Sequence, residues 1–411
     1  MGGLSQASGA DLPDPRAVGP KIRIQPVSAE RAALVAEADR ALAGQDFARA
    51  AALLEQSLAM GEDFPVLLRL AGTHRAAGRP RVALDAVHRA LTLAPLDFTA
   101  LMMRASLLDR IGDPGAGEAW GHAIAQKPAD ALPPQLAAVL AEGERKHAAW
   151  LDTKEAHWAA RTAEAESRAD AEERARIARF RSNALRRTRV YHSEPTHFHF
   201  PGLAEREFHP RSLFPWLAEI EAATDTIAAE LAAVMAAERA ELVPYVQYAA
   251  HQPLAQWRAL NHNPDWTAIH LWRNGRRIEA NARHCPRTME LLGLVDQPEI
   301  AGASPNALFS LLAPGTAIPP HVGYNNTRLV CHLPLVVPDG CWFRVGAETR
   351  DWERGQAFVF DDTIEHEAMN PSEQLRVVFI FDLWHPDLRP AERAAVAAMI
   401  GSAPDAVPES L

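Results

Sequence analysis

Two histidines and an arginine stand where their side chains could do chemistry. The stretch "IPPHVGYNNTRLVCHLPL", residues 318–335, sets His321 eleven positions before His332; "FDDTIEHEAMNPSEQLRVVFIFDLWHP" carries His366 and, ten positions on, Arg376. His321 lies in a Pro/Gly/Asn-rich loop ahead of an apolar run, and His366 follows the run "FVFDD". Loops at strand ends are where ligands converge, and imidazole is a common ligand for iron, zinc and copper. The chain has 17 histidines, so the pair alone is a weak metal signal. Arg376 strengthens it. A guanidinium inside "LRVVFIFDLW" is costly unless an anion meets it, and its fork matches a carboxylate. Two imidazoles on a metal beside such an arginine form the arrangement needed to chelate a 2-oxo acid on iron. A zinc hydrolase built on the same histidines finds no Glu-bearing helix motif in support.

Other residues invite the same question. His197 and His199 in "THFHF" have the i, i+2 spacing of some metal sites but precede a helix and read as packing or surface residues. Asp361 and Asp362 follow a strand and read as turn residues that orient loop backbone or the His366 ring. His385 reads as structural. Cys331 falls on a buried strand face and reads as inert.

These side chains need strands to hold them. From Arg328 to Val336 the sequence alternates: Arg328, Val330, His332 and Pro334 on one face, Leu329, Cys331, Leu333 and Leu335 on the other. After residue 265 similar short runs recur, "TAIHLW", "ALFSLLAP", "CWFRVG", "QAFVFDD" and "LRVVFIFDLW", bounded by turn residues. Their spacing predicts a double-sheet β-sandwich of the jelly-roll kind. A helix, "AEIEAATDTIAAELAAVMAAERAELV", precedes them, and a short one, "PAERAAVAAMIG", follows.

The first half is helical in pattern. Gly44, Gly78 and Gly112 recur every 34 residues, each between two helical segments with small residues. That period with a helix–turn–helix unit is the tetratricopeptide signature. Next comes a charged stretch almost without Gly or Pro, which reads as one or two long helices. The expected organisation is a disordered N-terminus (1–25), tetratricopeptide-like repeats (26–135), a helical linker (136–191), a jelly-roll domain (192–390), and a C-terminal helix and tail (391–411). The fold class is multidomain, α plus β.

The chain has 411 residues, 48% hydrophobic and 23% charged, with a formal net charge of −10. That balance argues against nucleic acid, whose binding rests on Lys and Arg neutralising phosphates. Three cysteines without C-x-x-C spacing do not make a disulfide framework. With no signal-like or membrane-spanning run in view, the expected setting is a reducing one, the cytoplasm, without stable membrane association.

Residues 310–388 resemble the aspartyl/asparaginyl β-hydroxylase family of Fe(II)- and 2-oxoglutarate-dependent oxygenases, through "PPHVGYNNTRLVCHLPLVVP", "WERGQAFVFDDTIEHEAMN" and "LRVVFIFDLWHPDL". "IHLWRNGRRIEANARHCPRTMELL" and "FPGLAEREFHPRSLFPWL" extend the resemblance to about 195–390. It implies iron on His321 and His366, with Gly323 offering no third ligand atom. It implies that Ser310 and Arg376 hold the distal carboxylate of 2-oxoglutarate, with His332 and Trp272 as further co-substrate contacts. Arg328 would meet a substrate carboxylate, and Asn274 stands at another substrate position. The implied activity is hydroxylation of an unactivated C–H, the β-carbon of Asp or Asn in a peptide or protein, with succinate and CO2 as co-products. The chain departs from the family at Val330, where a second arginine is common. The alternative is a catalytically silent scaffold that binds a protein partner through its helical repeats.

Overall fold

The 34-residue spacing of glycines becomes a series of helix pairs. The computed structural model describes residues 29–237, 242–247, 258 and 261–401; the segment expected to be disordered, 1–25, and the tail after residue 401 lie outside the described residues. The chain divides into two units, Met1–Arg181 and Ser182–Leu411. In the first, α1 (Ala29–Ala43) pairs with α2 (Phe47–Ala59), α3 (Phe64–Ala76) with α4 (Pro80–Leu93), and α5 (Phe98–Arg110) with α6 (Ala116–Ile124). These are tetratricopeptide-like repeats. Gly78 and Gly112 take φ +73° and +70° where the chain reverses within the second and third pairs; beside Gly44 the positive φ falls on Gln45. Asp46, Asp63 and Asp97 cap α2, α3 and α5 through backbone N–H groups three residues on. The small residues Ala50, Ala71, Ala83 and Ala90 are fully buried, which lets neighbouring helices approach.

The stretch expected as a linker is mostly helix: α7 (Pro134–Arg168) and α8 (Ala171–Ala184). Its first turns are not a bare connection. Leu140 and Gly143 are buried in α7, and the Trp120 ring of α6 sits in the space a side chain at Gly143 would need. The helical unit therefore continues beyond residue 135, closing its last pair with α7.

In the second unit, α9 (Leu217–Ala222) and α10 (Thr224–Ala236) replace the single helix of the sequence reading, separated at Ala223. Two antiparallel sheets follow. One runs β1 (Leu242–Pro244), β2 (Trp266–Arg273), β4 (Ala307–Leu312), β11 (Arg376–Trp384), β6 (Arg328–Val336), β9 (Phe358–Phe360), with β3 (Arg276–Arg277) paired to β2. The other runs β5 (Thr316–His321), β10 (His366–Asn370), β7 (Trp342–Val345), β8 (Glu348–Asp351). From β4 onward the chain passes repeatedly between the two sheets. α11 (Glu279–Ala282) and α12 (Pro286–Leu292) lie between β3 and β4, and α13 (Pro390–Gly401) ends the described chain.

The larger sheet has two buried faces. Leu329, Cys331, Leu333 and Leu335 join Phe309, Phe379 and Phe381 in a core with α9, α10 and α12. The opposite face, with Leu308, Val330, Val378 and Ile380, packs with Ile318, Phe343 and Ala368 of the smaller sheet. The alternation read from β6 thus separates an apolar, helix-covered face from a face that lines the space between the sheets.

A Cβ at Gly143 would lie 2.2 Å from Trp120, whereas one at Gly72 would meet nothing within 4 Å. Gly143→Ala is expected to destabilise the helical unit by about 1–3 kcal/mol. Gly72→Ala should be neutral or slightly stabilising. Denaturant unfolding followed by circular dichroism checks the pair.

Candidate active site

His321 and His366 are cross-strand partners. His321 ends β5, His366 begins β10, and the two pair directly in register. Their rings are 4.0 Å apart between centroids. The sequence reading put both in loops. It missed β5 because Pro319 and Pro320 look incompatible with a strand; β5 is the edge of its sheet, where proline is tolerated. β10, five residues long with Glu367 and Asn370, carries little strand signal.

Each ring is oriented by its own turn. His321 Nδ1 lies 2.8 Å from the Pro319 carbonyl, and His366 Nδ1 lies 3.0 Å from that of Ile364. A carbonyl can only accept, so each Nδ1 carries the proton and each Nε2 the lone pair. Burial pushes His366 down to about 4. Burial and the adjacent His366 hold His321 well below its ordinary value. Both imidazoles are therefore neutral near pH 7, as metal ligation requires. Among the described residues no group of three His, Cys, Asp or Glu side chains is arranged to hold a metal, so the cavity offers two imidazoles.

The same cavity reaches Arg376, at the start of β11 and 2% exposed. Its Nε and Nη2 find no hydrogen-bond partner among the described residues. Desolvation lowers its pKa to about 10, with Cys341 and Tyr245 opposing the shift. Ser310, on β4, accepts from Trp266 Nε1 at 3.0 Å, leaving its own hydroxyl proton to donate. His332 stacks on Trp352 at 5.6 Å and 16°, and Phe360 meets its edge at 4.7 Å. Burial, then Arg376, holds His332 well below the usual histidine range.

Nearer His321 lies a second, compensated cation. Arg328 Nη2 donates to Asp362 Oδ2 at 2.9 Å, and both side chains are buried. Arg328 Nη1 and Asp362 Oδ1 have no hydrogen-bond partner among the described residues. Burial raises the Asp362 pKa, while Arg328 and His321 oppose it. A Cβ on Gly323 would lie 2.4 Å from Asp362 Oδ2 and 2.7 Å from Oδ1. The carboxylate of residue 362 thus occupies the room a side chain two positions after His321 would take.

Two site residues of the sequence reading lie elsewhere. A register shift between His270 and Trp272 turns Trp272 toward the helix-covered core, away from the cavity. Trp266, on the same strand, lines the cavity and stacks on Tyr245 at 4.0 Å. Asn274 has φ +51° and precedes Gly275 at +76° in the β2–β3 hairpin. Its N–H donates to Asn306 Oδ1. An Asn-Gly pair is what such a tight turn requires, and this explains the residue type. His321, His332, His366, Ser310, Arg328 and Arg376 do converge on the cavity. Tyr245, Tyr324, Trp266 and Trp352 line it as well and were missed, since lone aromatics carry no spacing signal. The remaining candidates sit outside the histidine pair. His197 packs on Tyr324, His385 packs on His209, and Asp361 holds Thr363 through its N–H and hydroxyl. Cys331 is buried, and burial raises its thiol pKa well above the usual value.

The contact at Gly323 makes a prediction. Gly323→Ala should cost about 1–3 kcal/mol by crowding Asp362, and much less in an Asp362→Ala background. A double-mutant cycle of unfolding free energies measures that coupling.

Comparison with known proteins places this domain. The family model described as "Aspartyl/Asparaginyl beta-hydroxylase" matches residues 221–386. Human aspartyl/asparaginyl beta-hydroxylase is 39% identical over 142 residues, 34% of this chain and 18% of that protein. Human aspartate beta-hydroxylase domain-containing protein 2 is 39% identical over 148 residues, 35% of this chain and 40% of that one. The Sgt2 TPR domain from Aspergillus fumigatus aligns with 29% of this chain and 80% of its own, at 21% identity and a TM-score of 0.27. This chain therefore spans well under half the length of either curated relative. Residues 221–386 belong to the aspartyl/asparaginyl β-hydroxylase family.

Proposed function

We propose that the second unit is an Fe(II)- and 2-oxoglutarate-dependent hydroxylase acting on an unactivated C–H, the β-carbon of an Asp or Asn residue in a peptide or protein. The observation that carries this reading is Arg376: a buried guanidinium with two N–H groups unpaired among the described residues, in the same cavity as two histidines with preset Nε2 lone pairs. A buried cation without an anion is strongly unfavourable, and a ligand carboxylate is the group its fork fits. The donor set fits the cofactors: neutral imidazoles for iron, and the Arg376 donors and Ser310 hydroxyl for a carboxylate.

Bound iron, with 2-oxoglutarate and dioxygen, would supply the oxidising power, yielding succinate and CO2. The protein's work is binding and exclusion. His321 and His366 hold the metal through Nε2. Arg376 and Ser310 grip the distal carboxylate, and His332 lines the wall beside them. Arg328, fixed by Asp362, keeps Nη1 for a substrate carboxylate or carboxamide. Phe343, Trp352 and Phe360 wall the chamber with apolar surface, which keeps water from the reacting centre. Val330, in place of a second arginine, is the observation that favours the silent-scaffold alternative.

Anaerobic addition of Fe(II) and 2-oxoglutarate separates the two readings. The hydroxylase gives a weak visible charge-transfer band and, in air, succinate. His321→Ala or His366→Ala should abolish the band, and Arg376→Met should weaken 2-oxoglutarate about 100-fold by removing charge-assisted hydrogen bonds. A wild-type chain with no band and no succinate overturns the proposal.

A further inference from the structure

Trp352, just after β8, turns its ring into the cavity between two site residues. It stacks on His332 at 5.6 Å and 16°, and the Arg376 guanidinium carbon sits 5.3 Å from its ring centroid. Its backbone N–H is engaged by the Cys341 carbonyl at 3.3 Å. Its indole Nε1 is buried and finds no hydrogen-bond partner among the described residues, as do Arg376 Nε and Nη2. Trp266 is the internal contrast: another tryptophan of the cavity, its Nε1 is taken by Ser310.

A buried N–H left unpaired is unfavourable, and phenylalanine would supply a comparable aromatic wall without that penalty. Arg376 and Trp352, 5.3 Å apart from guanidinium carbon to ring centroid, both hold donors that the described residues leave unused. An anion between them would satisfy both. Val330 bears on this. One carboxylate is already balanced in charge by Arg376, and a further cation in this buried space would need a counter-ion of its own. An indole supplies a donor without a charge.

We propose that Trp352 is a further co-substrate-binding residue, its indole N–H donating to the distal carboxylate of the 2-oxo acid beside Arg376. The inference rests on the reading of the site given above. Its test is Trp352→Phe, which keeps an aromatic ring and removes the N–H. The Fe(II)-loaded wild-type and variant proteins are titrated anaerobically with 2-oxoglutarate and with 2-oxobutyrate, which lacks the distal carboxylate, following the charge-transfer band. Melting is followed by circular dichroism. The expected result is a Kd for 2-oxoglutarate raised about 5- to 30-fold, with the Kd for 2-oxobutyrate unchanged within about twofold. An unchanged Kd for 2-oxoglutarate, or equal weakening of both acids, assigns Trp352 to packing and overturns the proposal while leaving the hydroxylase reading intact. A wild-type protein that binds neither acid overturns both.

Discussion

The candidate site depends on the register between β5 and β10. Side chains alternate along a strand, so a slip of one residue would turn one histidine ring out of the cavity. Several contacts hold the pairing. β10 is bonded on its other side to β7, with His366 opposite Val345. At its far end the Asn370 side chain donates to the carbonyls of Leu312, Ala313 and Gln374, and its oxygen accepts from Ser372. That clamp ties the end of β10 to the ends of β4 and the loop before β11. The strand carrying one histidine is thus fixed to the strands carrying Ser310 and Arg376, and the elements of the cavity share one frame.

That frame is also why the site can hold charge. Placing ionisable groups between two sheets removes them from water, and the histidines answer by staying neutral. The turn carbonyls then decide which nitrogen keeps the proton. Two carboxylates away from the cavity show how the fold pairs its charges. Asp382, fully buried, accepts from Ser304, Asn306 and Gln297, and Glu230 caps α12 through Arg287 and Thr288. Arg376 differs from these groups: its Nε and Nη2 are buried and find no hydrogen-bond partner among the described residues.

Much of this was legible in the sequence. β6 and β11 could be read from alternation and apolar runs because both faces of the larger sheet are buried. The helix pairs could be read from their glycine period because φ near +70° at Gly78 and Gly112 admits few other residues. Reading Arg376 as buried needed only its apolar neighbours. What could not be read was set by tertiary context. β5 is a strand despite two prolines because its edge position requires no N–H from them. Trp272 left the cavity through a one-residue register shift that no pattern announces. Asn274 fits its hairpin, yet the same amide in a motif-like stretch reads as a binding group. The closeness of Asp362 to Gly323 joins residues 39 positions apart and emerges only from the folded chain.

The two arginines also divide the electrostatics of the cavity. Arg328 has Asp362 at 2.9 Å, so the pair is close to neutral and presents a positioned N–H more than a net charge. Arg376 has no carboxylate partner among the described residues, so the uncompensated charge lies at its end of the cavity. An anionic ligand feels the difference, since charge interactions strengthen where water is excluded. Arg376 presents a net charge to the cavity, while Arg328 presents a positioned hydrogen-bond donor. Val330, uncharged in the same wall, adds no further cation to that division. One cation of the cavity wall is thus paired and one unpaired among the described residues.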